Sequence, residues 1–364
     1  MRGRVSVGIL FLLISAVSNA STIRGLVKDA EGNLLAFATL FVKGTQKGVS
    51  ANSEGVYEIT LSPGEYVLVA QYIGYAHKEV SVKLTSQDLY QDIILERQEL
   101  MLAPVILSNK EDPAYGIIRE VIARQKENLA SSQRFTCQVY TKGQLRLRDF
   151  PTKFLSQKVD FEDGDTSKKK IVFLSETVSL FSLDGKKNRK LEVVSSKVSG
   201  SSDGYGLAAP DQFILYNNIV LDGTRLNPRG FVSPLSQNAF QYYRFKLLGS
   251  FEENGKTISK ISVIPKRKSE PLFAGALTIV EDDHQLYAAD LMLFKNQQLE
   301  LLDTLRLVQM NKQDSMGTWM LSSQVLYPSL KRFGFDVYGS FINIYTDYKT
   351  TPRWAPRFFD RTVL

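Results

Sequence analysis

Cysteine, histidine and long apolar runs are scarce in this chain, and each shortage removes a class of explanation. A single cysteine, Cys137, stands among 364 residues, so no intrachain disulfide can form. Stability must come from packed cores, which a chain of this length can build. The histidines are His77 and His284 alone. A zinc peptidase needs several nitrogen or carboxylate ligands at fixed spacing and a water activated by a nearby base. Neither histidine has a second ligand at such a spacing, so both read as surface residues. Phosphate-cradling glycine loops are missing too. The charge bias is mild, 45 basic against 38 acidic residues, or +7, and lacks the clustered basic face or motif of a nucleic-acid binder. Beyond the first twenty residues, no segment approaches the about 20 apolar residues of a spanning helix.

What is present starts with an address. Arg2 and Arg4 precede an apolar run from Val5 to Val17, and Ser18-Asn19-Ala20 supplies small residues before a cleavage point. This is the pattern of a secretory signal peptide over residues 1–20, with the mature chain starting at Ser21. Removal of Arg2 and Arg4 leaves 43 basic residues against 38 acidic, a net charge of +5. Because Ser21 and not cysteine follows the cleavage point, lipid attachment there is not expected. Hydrophobic content of 43% and charged content of 23% are those of a globular protein, and the length suits two domains.

Residues 21–107 read as short strands separated by turns. Thr22–Val27, Phe37–Val42, Val56–Leu61, Tyr66–Tyr72 and Lys78–Leu84 are rich in β-branched or aromatic residues. Glu31-Gly32-Asn33, Lys43-Gly44-Thr45, Ser53-Glu54-Gly55 and Pro63-Gly64-Glu65 divide them. Such spacing predicts a β-sandwich. Arg24-Gly25-Leu26-Val27-Lys28-Asp29, then Gly32-Asn33-Leu34-Leu35-Ala36-Phe37-Ala38, Asn52-Ser53-Glu54-Gly55-Val56-Tyr57, Pro63-Gly64-Glu65-Tyr66 and Tyr72-Ile73-Gly74-Tyr75 together resemble the carboxypeptidase-regulatory-like domain. The resemblance implies a seven-stranded, transthyretin-like sandwich used as a structural or interaction module in front of envelope proteins. Asn52 stands where that family often carries aspartate, and either residue suits the turn.

Glu96–Glu111 loses the strand rhythm and leads to Asp112-Pro113, an N-cap residue with proline at the first helical position. Ile117, Ile118, Val121, Ile122 and Leu129 then form an apolar stripe, which predicts a helix over Pro113–Leu129. Ten strands are expected after it: Phe135–Leu147, Ile171–Phe181, Leu191–Val198, Tyr243–Phe251, Thr257–Ile264, Gly275–Val280, Leu286–Phe294, Leu305–Gln309, Thr318–Leu326 and Gly334–Tyr348. Residues 108–364 are thus expected to be a larger antiparallel curved sheet packed on one helix, and the whole chain mainly β. Asp112-Pro113-Ala114-Tyr115, Tyr216-Asn217-Asn218, Phe231-Val232-Ser233-Pro234-Leu235-Ser236, Tyr242-Tyr243-Arg244-Phe245-Lys246-Leu247 and Phe273-Ala274-Gly275, with Trp319 and Tyr345-Thr346-Asp347-Tyr348, resemble the domain of unknown function that follows the regulatory-like module in Gram-negative envelope proteins. That resemblance transfers no catalytic residue. Phe273-Ala274-Gly275 with the strands after it is also similar to lipoprotein-carrier sheets, which imply a surface able to hold acyl chains. Members of the resembled family continue past Arg357-Phe358-Phe359-Asp360 into an outer-membrane β-barrel, whereas this sequence stops at Leu364. The expectation is a soluble periplasmic portion, a shortened form or the front of an interrupted gene.

Motifs that could carry chemistry are few. Gly200-Ser201-Ser202-Asp203-Gly204 matches a nucleophile elbow, but Tyr205-Gly206-Leu207-Ala208-Ala209-Pro210 does not start the helix that such a turn needs, so Ser202 reads as a loop residue. Glu162-Asp163 with Asp165, and Asp282-Asp283, sit in turns that favour short acidic side chains. Lys168-Lys169-Lys170 and the run Lys186, Lys187, Arg189, Lys190 read as solvated hairpin ends, or as contacts to anionic lipid. Phe333, Phe335, Val337 and Phe341 alternate with Tyr338, Ile342 and Ile344, which fits either a core strand or a lipid-binding concavity. The expected contacts to lipid or partner are therefore Phe335, Phe341, Ile342, Ile344, Lys186, Lys187 and Arg189. The sequence points to a non-enzymatic protein of the periplasm, associated with the outer membrane and acting in assembly, binding or transport, without cofactor or metal. An outer-membrane or periplasmic protein partner is expected, lipid is the second candidate, and nucleic acid is excluded. The rival reading is a periplasmic carrier of lipid or a small ligand.

Overall fold

The computed structural model describes residues 20–45, 47–52, 54–102, 111–131, 133–161, 167–185, 188–199, 213–314 and 316–360. Its first part is a sandwich of β1 (Ser21–Asp29), β2 (Thr39–Val42), β3 (Gly48–Ser50), β4 (Val56–Leu61), β5 (Gly64–Gln71), β6 (Lys78–Leu84), β7 (Leu89–Tyr90) and β8 (Ile93–Leu95). One sheet runs β4-β1-β7, with β8 also beside β1, and the other runs β3-β2-β5-β6. Strand alternation supplies the core: Tyr57, Ile59 and Leu61 of β4 point inward while Val56, Glu58 and Thr60 face out. The seven strands implied by the resemblance become eight because the last one is interrupted. Both β7 and β8 run parallel to β1, and between them Asp92 Oδ1 accepts the Leu26 amide at 2.9 Å, standing in for a backbone carbonyl. The crossing is so close that a Cβ on Gly25 would lie 2.0 Å from the Gln91 carbonyl oxygen, so only glycine fits there.

A two-residue strand, β9 (Met101–Leu102), already pairs with the second domain. Helix α1 (Pro113–Ala123) follows, then α2 (Gln125–Ser131), β10 (Arg134–Asp149), a small hairpin of β11 (Lys153–Phe154) and β12 (Gln157–Lys158), β13 (Lys170–Asp184) and β14 (Asn188–Ser199). A second small hairpin, β15 (Ile219–Val220) with β16 (Phe231–Val232), and a short helix α3 (Ala239–Tyr242) lead into the remaining strands. These are β17 (Tyr243–Glu253), β18 (Lys256–Pro265), β19 (Ala274–Val280), β20 (Gln285–Phe294), β21 (Thr304–Gln313), β22 (Trp319–Arg332) and β23 (Phe335–Lys349). The large sheet runs β14-β13-β10-β23-β22-β21-β20-β19-β18-β17-β9, and each of the ten strands expected from the sequence overlaps one of its members.

The expected single helix is broken in two. Asp112 caps α1 as anticipated, its Oδ1 accepting the Ala114 amide at 3.0 Å. Ala114, Ile118 and Val121 bury one stripe against the sheet. At Arg124 the backbone leaves helical geometry, with φ −95° and ψ 10°. The break turns Gln125 inward, where Nε2 donates to the Tyr216 carbonyl (2.7 Å), Asn218 Oδ1 (3.0 Å) and the Leu235 carbonyl (3.2 Å). The two N–H groups of this buried amide, one of them shared between two acceptors, gain more than the continuation of one helical turn would.

Candidate functional site

The two faces of the large sheet have different neighbours. Ladder pairs Leu307–Leu326 and Leu326–Phe341 point to the side where α1 and residues 213–245 pack. The next pairs, Val308–Val325 and Val325–Ile342, point the opposite way. On that second face the sandwich is seated. Phe41 closes over Val308, Val325, Ile342 and Ile344, with Phe37, Ile73, Tyr140 and Tyr327 around them. The Phe37 and Tyr327 rings are 5.7 Å apart, and the Lys312 ammonium sits 3.9 Å from the Phe41 ring centroid. Burial in this seam holds the Lys312 amine below its ordinary pKa. Ile342 is 1% exposed and Ile344 0%, so each contributes roughly 2–3 kcal/mol by burial. Across the seam His77 Nδ1 stands 3.4 Å from Glu253 Oε1. Packing dominates the contact.

On the helix face the centre of the sheet is filled. Leu277, Leu291, Leu305 and Leu307 interlock with Ile118, Val121, Phe231 and Phe273 in one buried cluster, and Phe341 is half-buried beside Leu326. Open space remains at the β13–β14 end, where a cavity of ≈650 Å³ lies between α2 and those strands. Its wall combines Gln125, Asn217, Asn218 and Arg189 with Leu129 and Phe181. The Arg189 guanidinium stands 5.9 Å from the Phe181 ring centroid. Cys137, buried at the same end, has its thiol pushed up by desolvation, which makes it unreactive.

The acidic turn after β19 is used for structure. Asp283 Oδ2 accepts Trp319 Nε1 at 2.6 Å and Lys256 Nζ at 2.5 Å. Asp282 Oδ2 accepts the Thr257 amide at 3.1 Å, and Glu281 accepts the Ser259 hydroxyl. His284, half-buried with φ 52°, offers its carbonyl to Asn128 Nδ2 at 3.2 Å. His77 is half-buried as well, so neither histidine has the open surface position expected of it. Among the described residues, no group of three or more His, Cys, Asp and Glu side chains is placed to hold a metal ion.

A family described as a family of unknown function, DUF5686, matches residues 117–348, and a CarboxypepD_reg-like domain matches residues 23–107. The chain belongs to the DUF5686 family. Among curated proteins, TonB-dependent receptor P26 of Formosa agariphila is 37% identical over 89 residues, which is 24% of this chain and 8% of the receptor. TonB-dependent receptor SusC of Bacteroides thetaiotaomicron is 30% identical over 83 residues, 23% of this chain and 8% of the receptor. The DUF5686 chain thus spans about 8% of the length of the curated relatives it matches. Of solved structures, a LolA superfamily protein from Nitrosomonas europaea aligns with a TM-score of 0.25 at 12% identity, over 68% of this chain and 96% of that one. A DUF1329 family protein from Desulfovibrio piger aligns with a TM-score of 0.27 at 11% identity, over 68% of this chain and 97% of that one.

Most of the sequence fragments that carry the DUF5686 resemblance, those around Ala114, Tyr216, Phe231, Tyr243 and Phe273, converge on the helix-face core, while Trp319 and Tyr345 lie in separate clusters. Tyr216 OH accepts the Leu286 amide at 2.8 Å, and Tyr243 OH accepts the Phe273 amide at 3.1 Å and donates to the Val232 carbonyl at 2.5 Å. Burial pushes both phenols well above their ordinary pKa. The residues expected to contact lipid or a partner do not form one surface. Ile342 and Ile344 lie beneath the sandwich, Phe341 is on the opposite face, and Arg189 lines the cavity beside α2. Phe335 sits at the sheet end, 5.6 Å from the Phe154 ring. Lys186, Lys187, Ser202 and the Glu162, Asp163, Asp165 group lie outside the described residues. Sequence reasoning missed Gln125 and Lys312, whose partners are distant in the chain. It also missed the Leu155-Ser156 turn, which carries neither glycine nor asparagine.

Proposed function

We propose that this chain is a non-enzymatic cell-envelope protein of the periplasm, associated with the outer membrane, that acts by binding an outer-membrane protein partner. The observation that carries the reading is the segment shared with TonB-dependent receptors. That segment folds here as a sandwich, with one flank on the large sheet and the other uncovered among the described residues. Tyr90 and Lys83 stand on exposed parts of the sandwich, and a photo-reactive residue at either position samples what meets it in the cell. The expected product is a crosslink to an outer-membrane protein. Recovery of the chain in the cytoplasm with residues 1–20 intact overturns the reading.

A second reading, carriage of a small ligand, is supported by the cavity beside α2. With Gln125, Asn217, Asn218 and Arg189 in its wall, it suits a polar molecule better than an acyl chain. Mass spectrometry of the native protein checks this. A copurifying compound lost on substitution Asn217→Leu supports carriage, and an empty protein from its own host counts against it.

A further inference from the structure

Two hairpin tips lie together at one end of the large sheet. The β11–β12 turn is Leu155-Ser156, with φ 50° and 68°, and the β22–β23 turn is Phe333-Gly334, with φ 52° and 82°. Two-residue turns with both φ positive favour Asn-Gly, and the same sheet uses that pair between β17 and β18, where Asn254 and Gly255 have φ 51° and 74°. At the other two tips a large apolar residue occupies the left-handed position, which bulky side chains avoid. Both are in water: Leu155 is 82% exposed and Phe333 79%. The tips touch, since the Phe154 ring lies 6.2 Å from Phe333 and Gly334 stands over Pro151. Lys153, Lys158, Lys331 and Arg332 surround them, all exposed. Lys158 pairs with Asp160 at 2.8 Å, while the side-chain ammonium groups of Lys153 and Lys331 form no ion pair among the described residues, Lys331 meeting Asp303 through its backbone amide alone.

We propose that this end of the sheet is a bilayer-docking surface, in which Leu155 and Phe333 enter the interface of an anionic phospholipid membrane and the four cations meet its phosphates. A few protruding apolar side chains ringed by lysine and arginine match the shallow penetration and charge of such an interface. A protein partner would call for a broader complementary patch. The proposal rests on the envelope reading only for the presence of a membrane, because vesicle binding is measured apart from location.

The exported chain, purified, is sedimented with vesicles of phosphatidylglycerol and phosphatidylcholine in equal parts, and with phosphatidylcholine alone. Binding is expected to the anionic vesicles and to fall with salt. The pair Leu155→Asp with Phe333→Asp is expected to lower partitioning by about tenfold or more, with an unchanged circular dichroism spectrum, since aspartate tolerates the left-handed position. Lys153→Glu with Lys331→Glu is expected to do likewise through charge. Val194→Asp, at a 61% exposed site elsewhere, is expected to leave binding unchanged. Equal binding by the parent and the Leu155/Phe333 variant overturns the proposal, as does an equal loss with Val194→Asp. Retention on native membranes that protease treatment abolishes, with no binding to pure vesicles, overturns it in favour of a protein partner.

Discussion

Asp112 serves two elements with one oxygen. Its Oδ1 accepts the Ala114 amide that opens α1 and also the Leu247 amide of β17, each at 3.0 Å. Alanine would leave both donors without their acceptor, and loss of a cap plus a part-buried amide amounts to about 2 kcal/mol. Asp112→Ala is therefore expected to lower the guanidinium unfolding free energy by about that amount, and Asp112→Asn, which keeps an acceptor oxygen, to restore most of it. A shift below about 0.5 kcal/mol for the alanine variant would contradict the cap. Leu155 presents the opposite case. A branched side chain held at φ 50° and 82% exposed gains little from folding, and relief of the left-handed conformation is worth about 1 kcal/mol. Leu155→Asn is expected to stabilise the protein by that amount in the same titration while weakening vesicle binding. A destabilised variant would show that Leu155 is held by packing.

At the level of elements, what could be read from the sequence was what periodicity encodes locally. Residues of β4 alternate with a period of two, and the cap and stripe of α1 announce its start. The ten long strands of the second domain were legible because β-branched and aromatic residues recur along them, in several cases alternating with polar ones. Three features escaped for a common reason: they depend on partners far along the chain. The break after Ala123 exists for the hydrogen bonds of Gln125, up to 110 residues away. The interruption between β7 and β8 exists for the close crossing at Gly25. The pattern of Ile342 and Ile344 favours a core strand but also fits a groove, and only the sandwich seated over them decides for burial. The carboxylates of the sandwich supply a test at this scale. A side-chain hydrogen bond from Asn33 holds Asp29 below its ordinary pKa of 3.8, the Thr22 amide does so for Asp88, and Lys28 for Asp92. Depressed folded-state values mean stability that is complete above the unfolded value and lost as pH falls through the folded ones. Fluorescence-monitored unfolding is expected to show constant sandwich stability between pH 5 and 7, by the ordinary range of carboxylates, and a decline below about pH 4. A decline already complete at pH 5 would mean that other groups control it.

In the whole molecule, one large sheet receives the sandwich on one face and the helical layer on the other, and a cleft of ≈910 Å³ remains beside the seam, lined by Phe41, His77, Glu253 and Lys312 among others. The places proposed for a partner, a ligand and a membrane lie away from the sheet centre: the outer flank of the sandwich, the cavity at the β13–β14 end and the apolar hairpin tips. The first rung of β1 also bears on the address written in the first twenty residues. Ser21 is 3% exposed and pairs with Leu61 as the first rung of the β1–β4 ladder. The next residue, Thr22, gives its amide to Asp88 Oδ1 at 2.9 Å, whereas Ala20 is exposed and outside the strand. Cleavage after Ala20 would therefore leave every rung of that ladder in place, while cleavage a few residues later would remove rungs and the bonds to Asp88 and Asp92. The intact mass of chain recovered from its host is expected to begin at Ser21, and the same chain is expected in the envelope fraction. Retention of residues 1–20, or a start beyond Arg24, would separate the processing site from the edge of the fold. Retention of residues 1–20 would count against the export on which the envelope reading depends, and a start beyond Arg24 would place processing inside the first strand.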